Sequence, residues 1–253
     1  MDLGLAGKKA IITGGSKGIG RAIADTLADE GCHVAICARG ADGVAAAVEA
    51  LKGKGVKAFG RALDVTDRDA LVGWVAASAK ELGGIDVVVA NVSALDMNRT
   101  DEAFQREFEI DLLHTVRTVE AALPHLERSD AGAIVVISSV SGLEFDFTSP
   151  AYGTFKGALV HYASRMASEL AGKRIRVNAV SPGNTYFEGG IWQHIERNMP
   201  DLFKKAFDLN PFGRMATAEE VANAAVFLAS PASSFTTGVN LVVDGALTRR
   251  VQY

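Results

Sequence analysis

The sequence predicts an α/β fold, a single doubly wound domain whose seven-stranded, mostly parallel sheet carries helices on both faces. Three observations predict it. Apolar runs of strand length alternate with helix-length segments from end to end, which calls for crossovers between parallel strands. The strand runs are nearly continuous in Val, Ile and Ala, as expected of strands buried on both faces. No linker, repeat or low-complexity stretch divides residues 1–253, so they read as one domain with an insertion at about 184–212.

In order, Lys9 to Thr13 reads as the first strand, with a helix from Gly18 to about Glu30. His33 to Ala38 is the second strand, Val44 to Leu51 a helix, and Val56 to Asp64 the third strand. Thr66-Asp67-Arg68-Asp69 resembles a capping box that opens a helix to about Leu82. Ile85 to Asn91 is the fourth strand, and one long helical region covers Glu102 to Glu127 with Pro124 near its end. Ala133 to Ser139 is the fifth strand, followed by a helix from about Ala151 to Leu170. Ile175 to Val180 is the sixth strand, closed by Pro182-Gly183, and a polar, aromatic insertion runs from Asn184 to about Phe212. Thr217-Ala218-Glu219-Glu220 caps a helix to Ala229, and Val239 to Val243 is the last strand.

With 48% apolar and 22% charged residues the chain has enough to bury a large core. Its net charge of −4 gives no reason to expect nucleic acid as a partner. No signal-like segment opens it, and no run of about 18 apolar residues could span a membrane. Cys32 and Cys37 fall in one strand stretch where alternation puts them on opposite faces, and they have no metal-like spacing with the five histidines. A reduced, cytoplasmic, metal-free protein is expected.

Thr13-Gly14-Gly15-Ser16-Lys17-Gly18-Ile19-Gly20 lies between the first strand and the first helix. There, glycines allow a tight turn and close approach, and a helix N-terminus favours an anion. The spacing is G-x-x-x-G-x-G, and its position points to a dinucleotide. The second strand ends Ala38-Arg39, without the carboxylate that would accept from a ribose 2′-hydroxyl. Arg39 and Lys17 together suit a 2′-phosphate, so NADP(H) is expected over NAD(H).

Tyr152 and Lys156 stand four apart on a predicted helix and so share a face. An ammonium beside a phenol favours the phenolate, which makes Tyr152 a candidate general acid or base. Ser139 stands thirteen residues upstream. Taken singly, Ser139 could be a hydroxyl bonded to backbone at a strand end, and Tyr152 a half-buried core residue.

With the Gly14–Gly20 loop, Asn91, Ser139, Tyr152, Lys156 and Pro182-Gly183 in order, the whole chain resembles the short-chain dehydrogenase/reductase family, in particular its 3-oxoacyl-acyl-carrier-protein reductases. The tail motifs Pro211-Phe212-Gly213-Arg214 and Val242-Val243-Asp244-Gly245 fit the same pattern. The resemblance implies a Rossmann fold and hydride transfer between a nicotinamide and a ketone or secondary alcohol. It implies that Tyr152 passes the proton, Lys156 lowers its pKa and bonds the nicotinamide ribose, and Ser139 holds the substrate oxygen. It further implies that Asp64 and Val65 lie at the adenine, Asn91 beside the cofactor, and Pro182, Gly183 and Thr185 at the nicotinamide. A homotetramer is implied, with the long helices before and after the fifth strand at one interface.

The pattern departs at four places. Asp111 stands where the family usually has an asparagine in a proton relay to the lysine; Ala90-Asn91-Val92-Ser93 keeps one asparagine but lacks the usual glycine; Phe155 replaces a common serine; and Ala246 replaces a second glycine. An aspartate there cannot donate, and its charge would favour the protonated lysine. Five aromatics in Leu143–Phe147 and Thr185–Trp192 predict a mostly apolar substrate pocket. Lys173 and Arg174 could meet an acidic carrier protein, whereas Asp130 stands where carrier-using reductases often have a basic residue. Two further readings remain: an NAD-dependent alcohol or sugar dehydrogenase, and a cofactor-binding regulatory or scaffold protein without turnover.

Overall fold

The computed structural model describes residues 2–251. Its first half runs β1 (Lys9–Thr13), α1 (Gly18–Asp29), β2 (His33–Ala38), α2 (Ala41–Gly53), β3 (Ala58–Ala62), α3 (Arg68–Leu82) and β4 (Val87–Ala90). Then α4 (Asp101–Glu107) passes through a π-helical turn (Phe108–Leu113) into α5 (His114–Leu126), followed by β5 (Ala133–Ile137), α6 (Pro150–Leu170) and β6 (Arg176–Pro182). The last part is α7 (Ile191–Asn198), α8 (Pro200–Asp208), α9 (Ala218–Ala229) and β7 (Asn240–Val243).

The strands form one sheet in the order β3-β2-β1-β4-β5-β6-β7, every pairing parallel. Alternation sorts the side chains between two cores. Ile12, Ile36 and Val89 pack against α1, α2 and α9, while Ile11, Ala35 and Val88 pack against α3, α5 and α6. Cys32 belongs to the first core and Cys37 to the second, and both are free thiols. Strand order reverses between β1 and β4, and the crevice beyond their C-terminal ends is where ligands bind in such sheets.

Two local expectations are corrected. Thr66 does not cap α3; Asp67 does, accepting from Ala70 N at 3.0 Å, while Thr66 turns back to donate to Asp64 at 2.8 Å. The long helix across 102–127 is not uniform, since the π turn inserts a residue at Phe108–Leu113 and rotates α5 relative to α4. The insertion carries two short amphipathic helices, opened by Gly190 and Pro200, and Trp192, Ile195, Ala206 and Met215 form a small core of their own. The capping box of α9 is present as expected, and Arg214 grips its Glu220 with two bonds of 2.7 and 2.6 Å.

Candidate active site

The turn after β1 is packed too tightly for side chains. Gly14 has φ +73°, and a Cβ there would stand 2.8 Å from Asn91 Nδ2; one on Gly20 would strike the Gly14 carbonyl. Asn91 holds the turn closed, donating to Thr13 O at 3.1 Å and Gly14 O at 3.3 Å, while its own N–H donates to Thr13 Oγ1 at 3.0 Å. The turn therefore leaves backbone open toward the crevice at the start of α1, a fit for a diphosphate. Lys17 and Arg39 flank it, both exposed and without an ion pair among the described residues. Asp64 lies near Arg39, and hydrogen bonds from the Thr66 N–H and hydroxyl hold its carboxyl below the usual range.

A cleft of about 1240 Å³ runs from this turn to the substrate loops. Every residue expected to touch the cofactor borders it: Gly14, Ser16, Lys17, Gly18, Ile19 and Gly20; Arg39, Asp64, Val65 and Asn91; Tyr152, Lys156, Pro182, Gly183 and Thr185. Ser139 borders it too, whereas Asp111 does not.

Helix α6 is set against the end of β5 by its own sequence. Ser149 caps it, accepting from Tyr152 N at 3.2 Å, and Pro150 at the first helical position needs no hydrogen-bond acceptor. Ser138 Oγ donates to Lys156 O at 2.8 Å, and Lys156 Nζ donates to Ile137 O at 3.2 Å. These bonds put Tyr152 beside Ser139 with Lys156 behind it, its Nζ 5.5 Å from the tyrosine ring centroid. Ser139 Oγ accepts from Ser141 N at 3.2 Å, and Ser141 in turn donates to Asp146 on the substrate loop.

The electrostatics correct one expectation. Burial pushes the Tyr152 phenol above its usual value; Lys156 and Ser139 pull it down, but Asp111 and Glu107 push it up further. The cation is present, but its charge is already shared. Burial works against the Lys156 ammonium as well, yet Asp111 at 2.9 Å holds it above the ordinary lysine value. For Asp111 burial is in turn outweighed by Lys156, Glu107 and the Ala94 N–H, and its carboxyl is held low. The aspartate in the family's asparagine position is thus the counter-ion of the lysine.

Two residues missed in the sequence complete this nest. Glu107, buried one helical turn before Asp111, is pushed up to about 8 by burial and by Asp111. His114 is pushed down to about 4 by burial; its Nδ1 donates to Ile110 O, so its Nε2 accepts from Thr13 Oγ1 at 3.1 Å. The signal for Glu107 was its i, i+4 spacing to Asp111. That for His114 was a histidine three residues beyond Asp111 on the same helical stretch.

On the substrate side, Phe145, Phe147, Phe187 and Trp192 border the cleft, with Phe147 edge-on to Trp192 at 5.5 Å. Tyr186 does not: it bonds Glu196 at 2.5 Å and packs on Phe203. Phe187 leans over the glycine turn, 2.6 Å from where a Cβ on Gly18 would be, so it covers the cofactor end of the cleft. Phe155 faces away from the cleft, packing on Phe104 and Phe108 with centroids 6.4 and 5.9 Å apart.

The chain is similar in sequence and in fold to known oxidoreductases. Residues 14–248 match the family described as enoyl-(acyl carrier protein) reductase. The isoepoxydon dehydrogenase of Penicillium expansum is 38% identical, over 100% of this chain and 99% of that one. The L-sorbose reductase of Gluconobacter frateurii, solved with NADPH and L-sorbose, superposes with a TM-score of 0.91 at 30% identity over 99% of this chain and 100% of its own. A 7α-hydroxysteroid dehydrogenase solved with NADH and a 7-oxo bile acid gives 0.90 at 30% identity over 97% and 96%.

Proposed function

The chain belongs to the short-chain dehydrogenase/reductase family of oxidoreductases, and from that premise we propose that it is an NADP(H)-dependent reductase of a ketone. The observation that carries this reading is the convergence of Ser139 and Tyr152 on one cleft with the glycine turn, backed by Lys156. The bound nicotinamide supplies or accepts the hydride. In reduction, Ser139 Oγ–H donates to the carbonyl oxygen as negative charge grows there, and Tyr152 O–H gives that oxygen its proton. Lys156 offsets the tyrosinate left behind. Oxidation of the alcohol runs the same proton back to Tyr152.

The fit for NADP(H) rests on the closed glycine turn and on the two free cations at its rim. A guanidinium and an ammonium together suit a 2′-phosphate. Replacing Arg39 by alanine is expected to weaken NADP+ about tenfold relative to NAD+, read as the cofactor-induced rise in melting temperature. Equal loss for both cofactors would place Arg39 outside the phosphate site.

The substrate is read as a free ketone or secondary alcohol with an apolar body rather than a carrier-bound 3-oxoacyl thioester. The Lys173 ammonium is engaged by Glu127 at 2.5 Å, and Asp130 is engaged by Lys8 at 2.6 Å, which leaves little of a basic docking patch there. Homotetramer formation is supported by the Phe104, Phe108 and Phe155 cluster, where the first two rings are each 39% exposed on the outer side of α4 and the π turn. No helix among the described residues is long and apolar enough to cross a membrane, and the two unpaired thiols fit the reducing cytoplasm.

The test is NADPH oxidation against cyclic ketones, sugars and 3-oxoacyl esters. Tyr152→Phe should lower kcat about 10²–10⁴-fold while leaving NADPH binding intact. A variant that keeps most of its rate would overturn the tyrosine mechanism.

A further inference from the structure

The nest behind Lys156 holds two carboxyl groups against one ammonium. Glu107 and Asp111 are both fully buried. Each uses one oxygen on the loop after β4: Glu107 Oε1 accepts from Asp96 N at 2.6 Å, and Asp111 Oδ2 accepts from Ala94 N at 2.8 Å. Of their other oxygens, Asp111 Oδ1 faces the Lys156 ammonium at 2.9 Å, while Glu107 Oε2 is buried with no donor among the described residues. Glu107 stands one helical turn before Asp111, so the two carboxyl groups share a helix face, and the charge of Asp111 bears on Glu107. Two carboxylates cannot face each other unless a proton lies between them.

We propose that Glu107 is a protonated positioning residue whose carboxyl hydrogen is donated to Asp111 Oδ1, leaving a single negative charge opposite Lys156. One proton then satisfies the orphaned Glu107 oxygen. Lys156 Nζ, paired with Asp111 Oδ1 at 2.9 Å and bonded to Ile137 O at 3.2 Å, lies 5.5 Å from the Tyr152 ring on its other side. From α6, the groups facing the pair are Lys156 and Tyr152. Asp96 in the loop sends its carboxylate outward toward the exposed Arg106, at 3.6 Å. His114, at the start of α5, is neutral. No second cation among these neutralises an ionised Glu107.

The acid also has a mechanical role. Glu107 fixes the Asp96 N–H, the Asp96 carbonyl accepts from Ser149 Oγ at 2.5 Å, and Ser149 caps Tyr152. A single side chain therefore ties the counter-ion of the lysine to the helix turn that carries the tyrosine.

Glu107→Gln and Glu107→Leu separate these ideas. Glutamine can donate to Asp111 and accept from Asp96 N but cannot titrate, whereas leucine does neither. Infrared spectra at neutral pH should show a buried carboxylic-acid carbonyl band in the wild type that Glu107→Gln removes. Burial raises this carboxyl from an ordinary 4.5 to about 8, so its stabilisation is full below 4.5 and is lost as pH rises through 8. Melting temperatures of Glu107→Gln should accordingly gain on the wild type between those pH values and run parallel above them. The effect on turnover rests on the reductase reading: glutamine should hold kcat within about threefold, while leucine loses about tenfold to a hundredfold with little change in cofactor binding. Absence of the acid band, or a constant melting difference across that range, overturns the shared proton. Equal kcat for glutamine and leucine overturns the positioning role. A wild type inactive on every ketone overturns the reductase reading alone, because the band and the melting curves are still readable.

Discussion

The two sides of α6 solve opposite problems. On the cleft side, Ser139 and Tyr152 turn hydroxyls to the cleft, with Ser139 bonded to Ser141 at 3.2 Å, and Phe145, Phe147 and Trp192 shape the wall around them. On the far side, Lys156 meets Asp111, Glu107 and His114, where no substrate reaches. The first side is defined by neutral hydroxyls turned to an open cleft and the second by the pairing of charged groups out of water. The difference teaches that the reactivity of Tyr152 is not set by Lys156 alone. The lysine's charge is divided between the phenol in front and the carboxylates behind, and burial and the carboxylates prevail.

The largest break in this arrangement is Lys156→Met. Asp111 would be left buried with no cation, a loss of about 3–5 kcal/mol. For a chain of this size that lowers the melting temperature by roughly 10 °C. Turnover should vanish as well. Adding Asp111→Asn removes the stranded charge, so the double variant is expected to regain most of the stability and none of the activity. Calorimetry and the NADPH assay together check this. If the double variant stays as unstable as the single one, the cost lies in packing around the methionine and not in the stranded carboxylate.

The front of α6 was legible in the sequence and the back was not. Ser139, Tyr152 and Lys156 announce themselves by spacing on one strand end and one helix, where local geometry suffices. The glycine turn is equally local, and so were β1, β2 and the cap of α9. Glu107 reads as an ordinary solvent-facing glutamate of an amphipathic helix. It is buried where α4 meets the π turn, under a loop whose Asp96 N–H, eleven residues earlier, bonds its carboxyl. The direction of the Tyr152 shift was missed for a related reason: it sums burial with charges from two separate helices, and only the nearest charge is visible in a motif. The helices of the insertion escaped because each has fewer than ten residues and is held by a small core that forms only when both fold.

The finest test of the divided charge is Asp111→Asn alone. The asparagine can still accept from Ala94 N through its oxygen, which turns its amide N–H bonds toward Glu107 and Lys156. Glu107 then becomes the acceptor and the negative charge moves onto it, one turn further from Lys156. Asp111 raises the Tyr152 phenol more than Glu107 does, so moving the charge lowers the tyrosine's pKa. Alcohol oxidation needs the tyrosinate, so the acid limb of its kcat/KM profile should move to lower pH. A limb that moves to higher pH would mean that the loss of a full countercharge disorders the lysine instead, and that Asp111 acts on Tyr152 through the position of Lys156 rather than through its field.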